Sequence, residues 1–145
     1  MNALDIITIG SNLLKEKKIS SNILDSEILL SKVLRKSREE LLINLDQEVD
    51  KKMVHKFKKF LNRRLKNEPI AYIIQEKEFW SRKFNVSKDT LIPRPETELL
   101  VDTLVKNNKG KQISILDIGT GSGCILLSLL CELKQSHGVG IDISH

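Results

Sequence analysis

The chain has 145 residues, of which 40% are hydrophobic and 30% are charged, and its formal net charge is +5. This composition is typical of a globular protein, and the length allows one ordinary domain or a small domain and part of another. No apolar run reaches the ~18 residues of a membrane span, and the first residues lack the charge order of a secretory signal, so a cytoplasmic protein is expected.

The basic residues are concentrated in one stretch. Residues 1–50 carry nine acids and seven bases, whereas residues 51–88 carry twelve bases and three acids. Such a stretch fits an acidic or nucleic-acid-bearing partner, but it is more often the solvated face of an amphipathic helix. Phe57 and Phe60 have the spacing of helix core residues and not of a base-stacking surface. No direct contact with nucleic acid is therefore expected.

No metal site and no disulfide are predicted. Cys124 and Cys131 lie two turns apart on one predicted helix, which is too far for a disulfide, and both thiols are expected to be buried and reduced. The three histidines, His55, His137 and His145, do not have the spacing of metal ligands.

Four helices are predicted before Pro69 from the spacing of apolar residues. They cover residues 3–17, 23–35, 38–43 and 51–66. Ser20, Ser21 and Asn22 offer cap chemistry for the second helix, and Ser37 with Glu40 matches a capping box for the third. Closely spaced helices with short links indicate a small helical bundle, so residues 1–68 are predicted to form a helical domain.

The pattern changes from helical to β-prone after Pro69. β-prone or alternating segments occur at residues 71–74, 78–80 and 82–86. A β-hairpin linker is therefore predicted over residues 69–95, and Pro93 and Pro95 stiffen its end.

The last third of the chain has the order of an α/β domain. A helix is predicted over residues 96–106, and a strand begins at residue 113. A glycine-rich turn at residues 119–123, a helix over residues 124–133 and a strand over residues 139–143 follow. Residues 96–145 are thus predicted to be the start of a Rossmann-like α/β domain. The predicted fold class is α+β overall: a helical bundle, a hairpin linker and a truncated α/β domain.

The glycine-rich turn departs from the dinucleotide-binding pattern. Gly119, Gly121 and Gly123 alternate, and Cys124 stands where the third glycine of the dinucleotide fingerprint is required. Three glycines increase the conformational entropy that the turn loses on folding, a cost that a turn with no other role would not need. This argues against a purely structural turn.

Two acids flank this turn. Asp117 precedes it and would repel a pyrophosphate, but it suits a ligand with an ammonium group, such as the methionine end of S-adenosylmethionine. Asp142 ends the next strand, where an acid can accept hydrogen bonds from two ribose hydroxyls. The combination favours a methyltransferase that uses S-adenosylmethionine, so the α/β domain is predicted to be of the class I methyltransferase kind. The alternative is a tight turn with acids that serve only solubility.

Motifs along the whole chain resemble the HemK/PrmC methyltransferases, which modify the glutamine of the Gly-Gly-Gln motif in class 1 peptide chain release factors. The most specific motif is Leu-Ile-Pro-Arg-Pro-Glu-Thr-Glu-Leu-Leu-Val at residues 91–101, followed shortly by the glycine turn. Further similar segments are Asp25-x-Glu27, Arg63-Arg64, residues 68–73 and residues 78–80. Gln75 stands where the family usually has glycine.

The resemblance implies functional roles for particular residues and domains. S-adenosylmethionine is the implied cofactor, and its implied binding residues are Asp117, Gly119, Thr120, Gly121, Ser122, Gly123 and Asp142. Arg94, Pro95 and Glu96 would border the substrate side, although the prolines also fit a rigid linker. The helical domain would help a monomeric protein to recognise the release factor.

The family's catalytic Asn-Pro-Pro-Tyr motif is absent from these 145 residues, so no catalytic residue is assigned. We therefore expect this chain alone to be inactive, with a foldable helical domain and a poorly stabilised, truncated C-terminal part that holds half of a site. One alternative is a non-enzymatic remnant or fragment whose helical domain only binds a partner. Another is a methyltransferase for RNA or a small molecule, against which the Pro-Arg-Pro-Glu-Thr-Glu motif argues.

Overall fold

The computed structural model describes residues 1–143, which form two compact units. The first unit is Met1–Ile74 and is helical, and the second begins at Gln75 and contains the described strands. The helices of the first unit are α1 (Ala3–Glu16), α2 (Asn22–Leu34), α3 (Arg38–Ile43), α4 (Lys51–Leu65) and α5 (Ile70–Ile74). The first four confirm the predicted helices to within one residue at either end.

Helix α5 shows that one prediction was wrong, because residues 71–74 have β-prone side chains but are helical. The carbonyl of Pro69 accepts hydrogen bonds from the N–H groups of Tyr72 and Ile73 at 3.1 and 3.2 Å, which starts the helical turn. Ala71 and Ile73 are buried. Burial against the other helices of the unit thus overrides the local β propensity.

The two predicted caps differ in outcome. Ser37 and Glu40 form the predicted capping box, since the Ser37 hydroxyl accepts from the Glu40 N–H and the Glu40 carboxylate accepts from the Ser37 N–H. At α2 the N-cap residue Ser21 makes no side-chain cap hydrogen bond. Asn22 instead donates its amide to the carbonyl of Ile19, so the predicted cap at α2 is wrong.

A shared hydrophobic core holds the first unit together. Gly10 lets α1 approach its neighbours closely, since a Cβ there would lie 2.2 Å from Ser26 Oγ and 2.7 Å from Phe57 Cζ. The buried apolar residues include Ile6, Leu14, Leu29, Leu30, Leu41, Phe57, Leu61 and Ile73. This unit closes around its own core.

Two arginines of α4 are bound to acids inside the first unit. Arg64 Nε donates to Asp25 Oδ2 of α2 at 2.7 Å, and both side chains are largely buried. Arg63 donates two hydrogen bonds to the Glu68 carboxylate, at 2.6 and 2.8 Å, and others to two carbonyls of α5. The hydrogen bond with Glu68 raises the pKa of Arg63, so the guanidinium stays charged.

The second unit begins with the predicted β-hairpin. Strands β1 (Glu76–Phe79) and β2 (Arg82–Asn85) pair antiparallel. Trp80 and Ser81 form the turn, and both have a left-handed φ, of 52° and 53°, as a two-residue turn of type I′ requires.

The α/β elements follow in the predicted order. They are a 3₁₀ turn (Pro95–Thr97), α6 (Glu98–Asn108), β3 (Ser114–Ile118), α7 (Cys124–Glu132) and β4 (His137–Ile141). The helix predicted from residue 96 begins later, because the Thr97 N–H donates to the carbonyl of Arg94 in a 3₁₀ turn. The last strand lies two residues earlier than predicted, so Asp142 follows its end.

Strands β3 and β4 form a parallel sheet with one covered face. On that face α7 buries Leu126 and Leu129. The opposite face carries apolar side chains that are exposed, namely Leu116, Ile118, Val139 and Ile141. In helix α7, Cys124 is buried but Cys131 is exposed, so the prediction of two buried thiols is wrong for Cys131.

Candidate functional site

The glycine-rich loop, residues 119–123, lies at the carboxyl ends of the two parallel strands, where α/β sheets bind ligands. The N–H groups of Gly119 and Thr120 both donate to the carbonyl of Ile141, at 2.8 and 3.0 Å. The Gly123 N–H donates to the Thr120 carbonyl at 2.8 Å, which closes a turn before α7.

The three glycines of this loop share an unusual backbone conformation. Their φ angles are +78° at Gly119, +52° at Gly121 and +74° at Gly123. An L side chain is strained at such angles, whereas glycine is not. The alternation of glycines in the sequence thus has a structural cause, which holds whatever the loop binds.

Both acids that the sequence singled out contact this loop. Asp117 Oδ2 accepts a hydrogen bond from the Thr120 hydroxyl at 2.8 Å. Asp142 Oδ2 accepts from the Gly121 N–H at 2.8 Å. The structure therefore brings the predicted cofactor-binding residues together in one loop and at the ends of two strands.

The polar side chains at the loop suit a ligand with hydroxyl and ammonium groups. The Ser122 hydroxyl is buried and has no hydrogen-bond partner among the described residues. Asp117 lies at the loop and would oppose a pyrophosphate but could accept from an ammonium group, and Asp142 could accept from ribose hydroxyls. These residues fit S-adenosylmethionine better than a dinucleotide.

Two residues beside the loop were missed by the sequence analysis. A Cβ on Gly140 would lie 2.7 Å from Thr120 Oγ1 and 3.0 Å from Thr120 Cβ, so the missing side chain lets Thr120 reach Asp117. A lone glycine inside a strand pattern was the available signal. The methyl group of Thr90 lies 3.7 Å from where a Cβ on Gly121 would stand, and no sequence signal marked it.

The predicted substrate-side residues are not joined to the loop. Arg94, Pro95 and Glu96 are exposed at the 3₁₀ turn. Neither Arg94 nor Glu96 makes a side-chain hydrogen bond or ion pair with any of residues 1–143. Their role at the substrate side stays a prediction.

A separate cleft of about 440 Å³ lies under the hairpin turn. Glu98 accepts a hydrogen bond from the Trp80 main-chain N–H at 2.8 Å, and Glu132 accepts from the Trp80 indole at 3.1 Å. Ser81 and Arg82 complete the lining. These bonds fasten the hairpin to α6 and α7, and no predicted cofactor residue lines the cleft.

The described residues contain neither a group of metal ligands nor a membrane-spanning helix. Among residues 1–143 no three or more His, Cys, Asp or Glu side chains are grouped as metal ligands would be. In the same residues no helix has both the length and the apolar character of a membrane span.

Known proteins resemble the chain over nearly its whole length. Residues 5–74 match the family model of the PrmC N-terminal domain. A release factor glutamine methyltransferase of Haemophilus influenzae is 44% identical over 129 residues, which cover 85% of this chain and 44% of the relative. The corresponding enzyme of Coxiella burnetii is 46% identical over 110 residues, or 75% of this chain and 40% of the relative.

A bifunctional methyltransferase of Rickettsia felis is 41% identical over 167 residues, which cover 96% of this chain and 32% of the relative. The chain thus spans less than half the length of each of these relatives. The resemblance to the HemK/PrmC family is confirmed as a similarity: residues 5–74 match the model of the PrmC N-terminal domain, and the chain is homologous to the N-terminal part of release factor glutamine methyltransferases.

Proposed function

We propose that the chain supplies the helical domain and the cofactor loop of a cytoplasmic methyltransferase that uses S-adenosylmethionine. Its proposed substrate is the glutamine of the Gly-Gly-Gln motif in class 1 release factors. The observation that carries the proposal is the pairing of a PrmC N-terminal domain with a glycine loop that is held by two acids.

The cofactor, when bound, supplies a methyl group that its sulfonium sulfur has already activated. Residues 119–123 would hold its methionine end, with Asp117 near the ammonium group. Asp142 would accept hydrogen bonds from the ribose hydroxyls. The bond from the Gly121 N–H to Asp142 supports this arrangement, because it orients that carboxylate toward the loop before the cofactor arrives.

The main task of the enzyme in this reaction is to position the two reacting groups. An amide nitrogen is a poor nucleophile because its lone pair is delocalised into the carbonyl, so the enzyme gains most by aligning it with the methyl group. The helical domain would recognise the release factor, and residues 94–96 would border the mouth of the site. The Asn-Pro-Pro-Tyr motif is absent from these 145 residues, so we expect no methyl transfer by this chain alone.

A chimera tests the proposal. Residues 1–143 are joined to the part of the Haemophilus influenzae relative that the chain does not match. Transfer of labelled methyl groups from S-adenosylmethionine to a class 1 release factor is then measured, with mass spectrometry to locate the methylated glutamine. We expect the chimera to methylate the glutamine and this chain alone not to do so.

Variants of the chimera separate the cofactor loop from general effects. Asp142→Asn removes the charge that would accept the ribose hydroxyls, and its methyl transfer should fall at least tenfold. Lys109→Gln changes an exposed residue at the C-terminal end of α6 and should leave the rate unchanged. A folded chimera that binds the cofactor but leaves the release factor unmodified would refute the proposal.

A role in binding alone is the second candidate. It is favoured by the contrast between the first unit, which closes around its core, and the sheet of the second unit, which has an uncovered apolar face. In that case residues 1–74 would capture a release factor, and the chimera would remain inactive. Binding of the purified chain to a release factor, together with an inactive chimera, would support this candidate.

A further inference from the structure

Helix α4 presents a face of lysines, one of which, Lys56, places its Nζ 5.8 Å from the centre of the Phe60 ring. Six lysines of this helix and its C-cap are exposed, and together they are called the lysine face: Lys51, Lys52, Lys56, Lys58, Lys59 and Lys66. None of them forms an ion pair within residues 1–143. Helix α4 contains no acidic residue, so no carboxylate of its own sequence neutralises this face.

The arginines of the same helix differ from these lysines. Arg63 is bound to Glu68, and Arg64 is bound to Asp25. The basic stretch therefore has two parts, because its arginines hold the fold together and its lysines face solvent. Removing charge from the lysine face leaves the internal ion pairs in place.

Three of the lysines form a straight ridge. Lys52, Lys59 and Lys66 recur every seven residues, which is close to two helical turns, so their Cα atoms lie about 10 Å apart along the helix. The opposite side of the helix buries Phe57 and Leu61 in the core. The charges therefore form a fixed row on a well-packed helix.

The composition of the lysine face discriminates between possible partners. Protein interfaces are depleted in lysine and enriched in arginine and aromatic residues, and the lysine face contains neither. A membrane-surface helix inserts an apolar face, but here that face is occupied by the core. A row of lysines suits a phosphate backbone, which is neutralised by point charges and needs no base contact.

We propose that the lysine face binds the phosphate backbone of double-stranded nucleic acid without reading its sequence. A single strand is less suited, since Phe60 is partly buried against the core and Lys56 Nζ lies over its ring, 5.8 Å from the ring centre. This proposal reverses the expectation that the chain makes no contact with nucleic acid. That expectation rested on the absence of stacking residues, which a duplex backbone does not require.

Salt-dependent binding tests the proposal. The full chain is titrated with a fluorescent RNA duplex of about 20 base pairs, and the association constant is measured by anisotropy at several KCl concentrations. We expect binding that weakens with salt, with a log–log slope of about −3 or steeper if the three ridge lysines each neutralise a phosphate.

Matched variants assign the binding to the lysine face. The triple variant Lys52→Gln, Lys59→Gln, Lys66→Gln should flatten the slope by about 2.7 and weaken binding at low salt at least tenfold. The control, Lys88→Gln, Lys109→Gln, Lys134→Gln, removes the same charge from exposed lysines of the second unit and should change the slope by less than about 0.5. Circular dichroism checks that both variants fold.

Three results would overturn the proposal. The first is no duplex binding at low salt, and the second is an equal loss in the two triple variants, which would show only an effect of net charge. The third is tighter binding to a polyglutamate peptide or to phosphatidylserine vesicles than to the duplex, because the lysine face would then serve an acidic protein or a membrane. Replacement of the three ridge lysines by arginine should retain duplex binding.

Discussion

At Gly140 the lack of a side chain determines whether Thr120 can contact Asp117. The acids and loop glycines could be predicted from the sequence because they form a local motif of strand, turn and helix. Gly140 could not, since its importance depends on Thr120, which lies twenty residues earlier and reaches β4 only in the fold. Thr90 is similar, because only the folded chain places its methyl group beside Gly121.

Gly140→Ala should disturb the loop from outside it. The new methyl group would meet Thr120 at 2.7 to 3.1 Å and push its hydroxyl away from Asp117. We expect a loss of about 1–3 kcal/mol of stability, as for other overpacked sites, and changed amide resonances in residues 119–123. Thr120→Val is the comparison, because it removes the hydroxyl without a clash. Unchanged loop resonances in Gly140→Ala would contradict the account.

Gln75 adopts a conformation that favours glycine. Its φ is +59°, and a left-handed conformation costs an L-residue other than glycine about 1–2 kcal/mol. Gln75→Gly should raise the free energy of unfolding by about 0.5–1 kcal/mol, since glycine's greater freedom in the unfolded chain offsets part of the gain. Urea denaturation measures the change. Gln112→Gly, at an exposed residue without a positive φ, should not stabilise, and equal effects would refute the explanation.

Among the elements, the buried pair between α2 and α4 carries the clearest energetic consequence. The Asp25 side chain is 6% exposed and that of Arg64 is 17% exposed. Arg64→Met would leave a buried carboxylate without its partner and should cost about 3 kcal/mol. The exposed pair is Lys106 with Asp102, whose side chains are 72% and 37% exposed, and Lys106→Met should cost less than about 1 kcal/mol.

The measurement is urea denaturation followed by circular dichroism of the helices. A double variant, Asp25→Leu with Arg64→Met, should recover most of the stability, because apolar residues often replace a buried pair without loss. Equal losses in Arg64→Met and Lys106→Met would show that burial does not decide the strength of these pairs.

Element boundaries were predictable where local chemistry sets them. Ser37 and Glu40 fixed the start of α3, because the capping box is made within one turn. Residues 71–74 were not predictable in this way, since their helix depends on burial against other helices. The position of β4 depended on its pairing with β3, in which Ile118 lies opposite Ile141.

For the molecule as a whole, the two units differ in how completely their apolar surfaces are buried. In the first unit the helices surround one core. In the second unit, the sheet of β3 and β4 has an exposed apolar face, on which Ile118 is 75% exposed and Leu116 is 62% exposed. Sheets of this parallel kind normally have both faces covered, so this exposed apolar face should attract dyes and other molecules.

A pair of substitutions checks this difference. Ile118→Thr on the exposed face should change stability by less than about 0.5 kcal/mol and reduce binding of a fluorescent apolar dye. Leu129→Ala, at a residue that is 2% exposed, should cost about 2–5 kcal/mol. A large loss of stability in Ile118→Thr would show that this face is covered in solution.

The central claim is that residues 119–123, Asp117 and Asp142 form the binding site for S-adenosylmethionine. An NMR titration of the labelled chain with this cofactor, with NAD⁺ as the comparison, tests it most directly. We predict amide shifts at the loop and at Asp142 with a weak Kd of about 1 mM, smaller shifts in Asp142→Asn, and none from NAD⁺. Shifts confined to other residues, or stronger binding of NAD⁺ at the loop, would contradict the claim.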